Sequence, residues 1–334
     1  MTQRTVTLHD VARIAGVSAS TASRVLNGGA PVSEALRLRV LAVANSLGYV
    51  SNQAAQALRG RRTILFVLVS DPRTFPIATQ AAAIEAEART QGVVASVVMV
   101  GGEAAARVQT IRTLRSLRPA ALIVAYTEPH GEVVRPELTA YRDEGGRVVV
   151  LGNTSPGFAG FPSVSHDDRA SVTSLAEHLA GLGRRRPAIV TVPSSPLLEY
   201  RRQVMLDTLA TYGTDPATVP VAPADLTSAG ARAATRRLLA DAVPPDLIYA
   251  TNDVLALGVL DALHDAGVPV PDVIAVAGHD DIPLAADATP GLTTVALDFA
   301  GAGQAGLRLA LTDDPQDVVL PGRLVVRGST VRTQ

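Results

Sequence analysis

The sequence predicts two kinds of structure in one chain: a small all-α head carrying a helix-turn-helix, and an α/β body of two doubly wound parallel-sheet lobes. Three observations carry this. Residues 7–27, TLHDVARIAGVSASTASRVLN, place two short helical patterns around a glycine. From residue 64 onward, short apolar runs alternate with amphipathic helical patterns. Charge divides along the same line. Residues 1–62 hold eight arginines against Asp10 and Glu34, a balance of +6, and since the whole chain is −1 the remainder carries −7.

Within the head, Thr7 caps the first helix with Asp10 three residues on in the capping-box position, and Val11, Ala12 and Ala15 supply its apolar side. Gly16 permits the tight turn. Ser18 caps the second helix, where Ala22, Val25 and Leu26 point inward while Ser20, Ser23, Arg24 and Asn27 fall at i, i+3, i+4 and i+7 on the opposite side. That outward face is polar and basic, and together with the charge balance it suits the groove of double-stranded DNA. Ser33 caps a third helix whose Leu36, Val40, Val43 and Leu47 close the small core, and Gly48 ends it.

Composition narrows the chemistry. The absence of cysteine excludes disulfides, thiolate catalysis and cysteine-ligated metal sites within this sequence. All 30 Lys+Arg residues are arginine, which removes Schiff-base lysines and Gly-Lys phosphate loops. With 47% hydrophobic residues, the 334-residue chain has material for two cores beyond the head. The first residues are polar, and no run approaches the roughly eighteen apolar residues of a membrane span. A cytoplasmic protein without membrane contact is expected.

The segment SNQAAQALRGRRT has a short helical pattern from Asn52 to Leu58, too brief to stand alone. Leu58 admits two readings: an ordinary hinge residue packed on the body, or an apolar wedge for a DNA minor groove. In the body, ILFVLV, VVASVVMV, ALIVA and VVVLG read as buried strands, with helices near Ile77 to Gln91, Ala104 to Leu117 and Pro136 to Glu144 between them. PAIVTV, LIYA and VIAVAG repeat the pattern. Asp71, Asn153, Asn252 with Asp253, and Asp280 with Asp281 all follow strand C-terminal ends, where open parallel sheets bind ligands. Their recurrence in both halves points to a ligand cleft between two lobes.

From Thr5 to Thr330 the chain resembles bacterial transcription repressors of the lactose/galactose-repressor (LacI/GalR) family. TLHDVARIAGVSASTASRVLN, the GYVSNQAAQALRG hinge, the ATNDVLALGVLDALHDAGVPVPDVIAVAGHDDIPLA block, PGLTTV and VVRGST carry this, in the family's order and spacing. The resemblance implies a homodimer on a pseudo-palindromic operator, hinge helices that order on DNA, and a body with the fold of periplasmic sugar-binding proteins. The expected organisation is a DNA-binding domain at 1–50, a hinge at 51–62 and an effector-binding and dimerisation domain at 63–334. Within the last, lobe 1 is expected at about 63–161 and 293–322, and lobe 2 at about 162–292 and 323–334.

By position, the family pattern makes Thr7, Ser18, Thr21, Ser23 and Asn27 phosphate contacts. It sets Leu8, Ala19, Ser20 and Arg24 against base edges, with Arg24 able to bond guanine bidentately. Asn52, Ala55 and Leu58 fall on family hinge positions, Leu58 at the intercalating leucine, and Ser51 replaces the usual proline. For a small-molecule effector the resemblance implies Arg201, Asn252 and Asp280, with Asp71 and Asn153 as further candidates. Such a mixture of donors and acceptors suits a polyhydroxylated ligand. Ile77, Leu226, Val204 with Met205, and His279 depart from the aromatic or glycine residues usual at their positions, and the chain is only 3% aromatic. Ring stacking is therefore poorly supplied; a sugar is the expected effector class, with a nucleoside, polyol or phosphorylated metabolite as the other classes.

Other readings compete locally. GAGQAG at Gly301 to Gly306 fits a dinucleotide-binding glycine pattern, but only about 28 residues follow, too few for the rest of such a fold. His166-Asp167 and His279-Asp280 lack a serine motif or a two-histidine helical spacing and read as helix caps and cleft walls. No catalysis, cofactor or metal is expected. A solute-binding protein or a sugar- or nucleoside-metabolising enzyme would explain the body but not the head. With no leucine heptad after Thr330, a dimer is expected over a tetramer.

Overall fold

The computed structural model describes residues 6–26, 32–49, 64–70, 74–100, 103–125, 131–152 and 158–331. The chain divides into two compact units, residues 1–62 and 63–334.

In the first unit, helices α1 (Leu8–Ala15), α2 (Ala19–Leu26) and α3 (Glu34–Ser46) are each too short to persist alone and are held by a common core. Val11, Ala12, Ala15, Ala22, Val25, Val40 and Ala44 form it, with Leu36, Val43 and Leu47 packed around. The Thr7 capping box forms in both directions: Asp10 N–H donates to Thr7 Oγ1 at 3.3 Å, and Thr7 N–H donates to an Asp10 carboxylate oxygen at 3.0 Å. Gly16 closes α1 at φ 67°, a left-handed conformation that a side chain would oppose.

The second unit is built on β1 (Ile64–Val69), α4 (Phe75–Thr90), β2 (Val94–Met99), α5 (Ala104–Ser116), β3 (Ala121–Ala125), α6 (Gly131–Asp143), β4 (Arg147–Leu151) and β5 (Ser163–His166). It continues through α7 (Asp168–Gly181), β6 (Pro187–Thr191), α8 (Pro196–Thr211), β7 (Val221–Pro223), α9 (Ser228–Leu239), β8 (Leu247–Ala250), α10 (Asp253–Asp265) and β9 (Ala275–Ala277). It closes with α11 (Pro283–Asp287), β10 (Thr294–Ala296), α12 (Phe299–Leu311), β11 (Val318–Leu320) and β12 (Arg323–Val325). A six-stranded parallel sheet, β11-β5-β4-β3-β1-β2, makes lobe 1, and a four-stranded parallel sheet, β7-β6-β8-β9, makes lobe 2. Antiparallel β10 and β12 form a separate pair.

Strand alternation sorts the core by face. On β1, Leu65, Val67 and Val69 face Ile84 and Ala88 of α4 and Ala302 of α12, whereas Phe66 and Leu68 face Ile111 of α5 and Leu138 of α6. Helices therefore cover both faces, as parallel sheets require.

Four expectations shift. Helix α6 starts at Gly131, so Pro136 lies inside it; only one N–H is lost there, near the start of the helix. Strand β2 is an edge strand, pairing only with β1, and is half exposed rather than buried, with Val94, Val97 and Met99 accessible. Ser163–His166 pairs with β4 and β11, so the chain leaves lobe 1 after His166 and not at 162. The second crossing follows β10, at about residue 297 and not 293, because β10 pairs with β12 rather than joining the lobe 1 sheet.

Candidate effector site and nucleic-acid interface

In the first unit the exposed side of α2 carries linked hydroxyls. Ser18 Oγ lies 2.8 Å from both Ser20 Oγ and Thr21 Oγ1, and it accepts from Thr21 N–H at 3.1 Å. The Arg24 guanidinium is exposed and folds back so that Nε donates to the Ser20 carbonyl at 3.2 Å. Thr7 is also exposed and Ser23 half-buried. Leu8 and Ala19 are half-buried against the core, so they present edges rather than whole side chains. Ser18, Ser20, Thr21 and Arg24 are thus brought onto one helix face. Asn27, Asn52, Ala55, Leu58, Asp71 and Asn153 lie outside the described residues.

In the second unit the ends of lobe 2 strands converge on Arg201. It sits on α8 and is 3% exposed. Its Nε donates to Asp168 Oδ1 at 2.6 Å, and its Nη1 donates to Asp280 Oδ1 at 2.9 Å and to the Thr251 carbonyl at 3.3 Å. Nη2 has no partner among the described residues, so the guanidinium keeps one arm for something else. Burial alone would lower the Arg201 pKa, but the Asp168 and Asp280 carboxylates outweigh it and hold the group above its ordinary value. Burial pushes the Asp280 carboxyl up, against the pull of Arg201.

Asn252 and Asp280 are placed by local backbone chemistry. Asn252 caps α10, its Oδ1 accepting from Leu255 N–H at 3.0 Å, which leaves its amide donors available. Asp280 and Asp281 both have positive φ, 117° and 53°, in the turn after β9. Asp253 ties this turn down. Its two oxygens accept from Ile282 N–H at 2.9 Å and from Thr294 Oγ1 at 2.6 Å, and burial raises its pKa to about 7.

Residues that the strand-end rule missed complete the surroundings. His279 is fully buried, with Nε2 3.7 Å from Asp168 Oδ1, and burial holds its imidazole well below the ordinary range, so the ring is neutral. His166, at the end of β5, stacks edge-on against Phe299 at 5.4 Å, and Phe299 meets Phe75 in the same way at 6.3 Å. Three of the chain's few rings therefore gather where the lobes join. Asp168 was readable as the third residue of His166-Asp167-Asp168, whose middle member only caps α7. GAGQAG proves to be a packing surface: a Cβ on Gly303 would stand 2.5 Å from the Gln80 carbonyl oxygen, and one on Gly306 would stand 2.4 Å from Leu151.

A helix-turn-helix with an exposed polar face, in one chain with a two-lobed parallel α/β unit holding a partly unengaged arginine, defines a DNA-binding regulator with an effector domain. Sequence comparison names the family. The model for bacterial regulatory proteins of the lacI family matches residues 7–52, and that for the periplasmic binding protein-like domain matches residues 176–330. The lactose operon repressor of Escherichia coli K12 is 30% identical over 98% of this chain and 91% of its own length. The HTH-type transcriptional regulator reg1 of Streptomyces lividans is 31% identical over 98% and 97%. Among solved structures, the lac repressor dimer bound to operator and the anti-inducer ONPF superposes with a TM-score of 0.86 at 27% identity, covering 98% of this chain and all of that one. The transcriptional regulator CelR in complex with cellobiose does so at 0.69 and 26%, covering 97% and 99%. The chain belongs to the lacI family of bacterial regulatory proteins and is a transcription regulator, not an enzyme. No described helix is long and apolar enough to cross a membrane.

Proposed function

We propose that this protein is a cytoplasmic homodimeric repressor whose operator affinity is set by a neutral, polyhydroxylated effector of the sugar class, bound between the lobes on Arg201, Asp280 and Asn252. The observation that supports the reading is the state of Arg201: two largely buried carboxylates hold it, and Nη2 has no partner among the described residues. One cation against two carboxylates also gives this cluster no surplus positive charge, which disfavours a phosphorylated ligand and suits hydroxyls that donate and accept. Relatives named for lactose and ribose operons support the class.

For DNA, the proposed roles are base reading by Arg24 and Ser20, edge contacts from Leu8 and Ala19, and phosphate contacts from Thr7, Ser18, Thr21, Ser23 and Asn27. Asn52, Ala55 and Leu58 are proposed to contact the minor groove. Domains are proposed at 1–50, 51–62 and 63–334. The test selects an operator from random duplexes with the full chain, then measures its release by neutral sugars and by their phosphates. Release by a sugar phosphate, with no neutral sugar active, would overturn the effector class; loss of nothing on deleting residues 1–62 would overturn the DNA assignment.

A further inference from the structure

Buried polar atoms without partners are rare in folded proteins, because each costs the full desolvation of a hydrogen-bonding group. Among the described residues six buried side-chain atoms lack a partner, and three of them are ring nitrogens of two residues: His279 Nδ1, His279 Nε2 and His166 Nε2. Both rings stand by the same ion pair. His279 approaches Asp168 Oδ1 at 3.7 Å, and His166 is within electrostatic reach of Asp168 and Arg201. His166 Nε2 is buried without a partner, and as a neutral imidazole this ring carries one N–H donor and one acceptor. Neutral His279, too, carries one N–H donor and one acceptor. The Phe299 ring packs edge-on against His166 at 5.4 Å.

We infer that His279 and His166 are specificity-determining residues of the effector site, reading hydroxyl groups on the edge of the effector that faces the lobe junction. The inference rests on the effector lying at Arg201 and Asp280. A hydroxyl matches this set because it can donate to an imidazole nitrogen and accept from an N–H at once. A methoxy group cannot donate, and a missing hydroxyl leaves buried nitrogens unpaired. A site built around such bonds rejects the analogue that lacks them far more strongly than a purely apolar site does.

The experiment is calorimetric titration of the full chain with a panel of neutral aldoses, alditols and disaccharides, followed by the monodeoxy and mono-O-methyl derivatives of the tightest binder. The wild type is expected to lose roughly 10- to 100-fold in affinity at one or two hydroxyls. In His279→Phe or His166→Phe the parent sugar should weaken by a similar factor while that deoxy derivative binds as before, so the preference collapses at those hydroxyls alone. His279→Asn, which keeps a donor and an acceptor, should restore part of it. A purely structural role would weaken parent and derivatives alike, and unchanged preference at every hydroxyl overturns the inference. Undiminished binding of the parent sugar by Asp280→Asn strikes instead at the placement of the site. A crystal structure of the effector-free full chain adds a check that needs no ligand: ordered water on the His279 ring supports the inference, and both nitrogens bonded to protein groups would end it.

Discussion

Replacing Arg201 with alanine strands two carboxylates in the interior. Asp168 and Asp280 are 12% and 11% exposed at their side chains, and each bonds the same guanidinium. Breaking a buried pair by removing one partner typically costs about 3–5 kcal/mol, because the remaining charge is left uncompensated. With about 2–4 °C of melting temperature per kcal/mol in larger domains, the body should melt roughly 6–20 °C lower. The variant would then fail to respond to effector for two reasons at once, which makes it a poor probe of binding. Asp280→Asn is cleaner. Asparagine keeps an oxygen for Arg201 Nη1, and it tolerates positive φ better than most residues, which the 117° at this position demands. The expected result is near-normal melting and operator affinity with effector response lost, read by calorimetry and fluorescence anisotropy. Replacing all three groups together, Arg201→Met with Asp168→Asn and Asp280→Asn, should recover much of the melting temperature without restoring the response. Melting of Arg201→Ala within a degree or two of wild type would refute the buried cluster.

Operator affinity should fall steeply with salt, since the eight arginines in residues 1–62 double in a dimer, and Arg24→Ala should cost about 1–3 kcal/mol on the operator but little on random duplex; equal loss on both would make Arg24 a backbone contact. Gly303→Val should destabilise the body by about 1–3 kcal/mol in denaturant melts, because the added carbon meets the Gln80 backbone, and a neutral result would contradict the packing of α12 on α4. The Asp253 carboxyl is raised from 3.8 to about 7, so its neutral form is favoured in the native state; its contribution is full below about pH 4 and is lost as pH rises towards 7. Asp253→Asn should therefore flatten the decline in melting temperature across that window, and an unchanged slope would assign the decline to other groups. Light scattering should give about twice 34.6 kDa for the full chain, and a salt-stable tetramer would refute the dimer.

The alternation of apolar runs and helices exposed most of the architecture, because a buried parallel strand cannot hide its continuous Val, Ile and Leu content. What it hid was pairing. Ser163–His166 reads as a polar four-residue segment, and only its neighbours β4 and β11 make it a strand of lobe 1. Strand β2 reads like β1 in composition, yet one is an edge and the other central, a distinction set by topology alone. In the site, Asp280 and Asn252 follow strand ends and were visible. His166 is legible only as a helix cap or cleft wall, and Asp168 carries no role in the sequence, since their partners, Phe299 and Arg201, lie 133 and 33 residues away. The scarcity of aromatic residues implies a poor supply of ring stacking; fold, not composition, decides where the few rings gather.

The chain passes between the lobes three times, and the passages bear directly on the site. His166 and Asp168 flank the first, and Asp298 and Phe299 stand on the second. At the third, Gly322 presses so closely on Ser171 of α7 that a Cβ would come within 2.2 Å of its hydroxyl. A ligand shifts a conformational equilibrium only by its difference in affinity for the two states, about 1.4 kcal/mol for each tenfold. Arg201, Asp280 and Asn252 all belong to lobe 2, so an effector held by them alone would ride on that lobe at any lobe angle and gain no such difference. Effector contacts proposed at His166 and Phe299 would change with that angle, because His166 belongs to a lobe 1 strand and Phe299 meets both Phe75 of lobe 1 and the lobe 2 core. On the proposed site, the lobe 2 residues would supply affinity that is blind to the lobe angle, whereas contacts at the lobe junction would supply both affinity and its dependence on the angle, and strand-end reasoning from the sequence reaches only the first set.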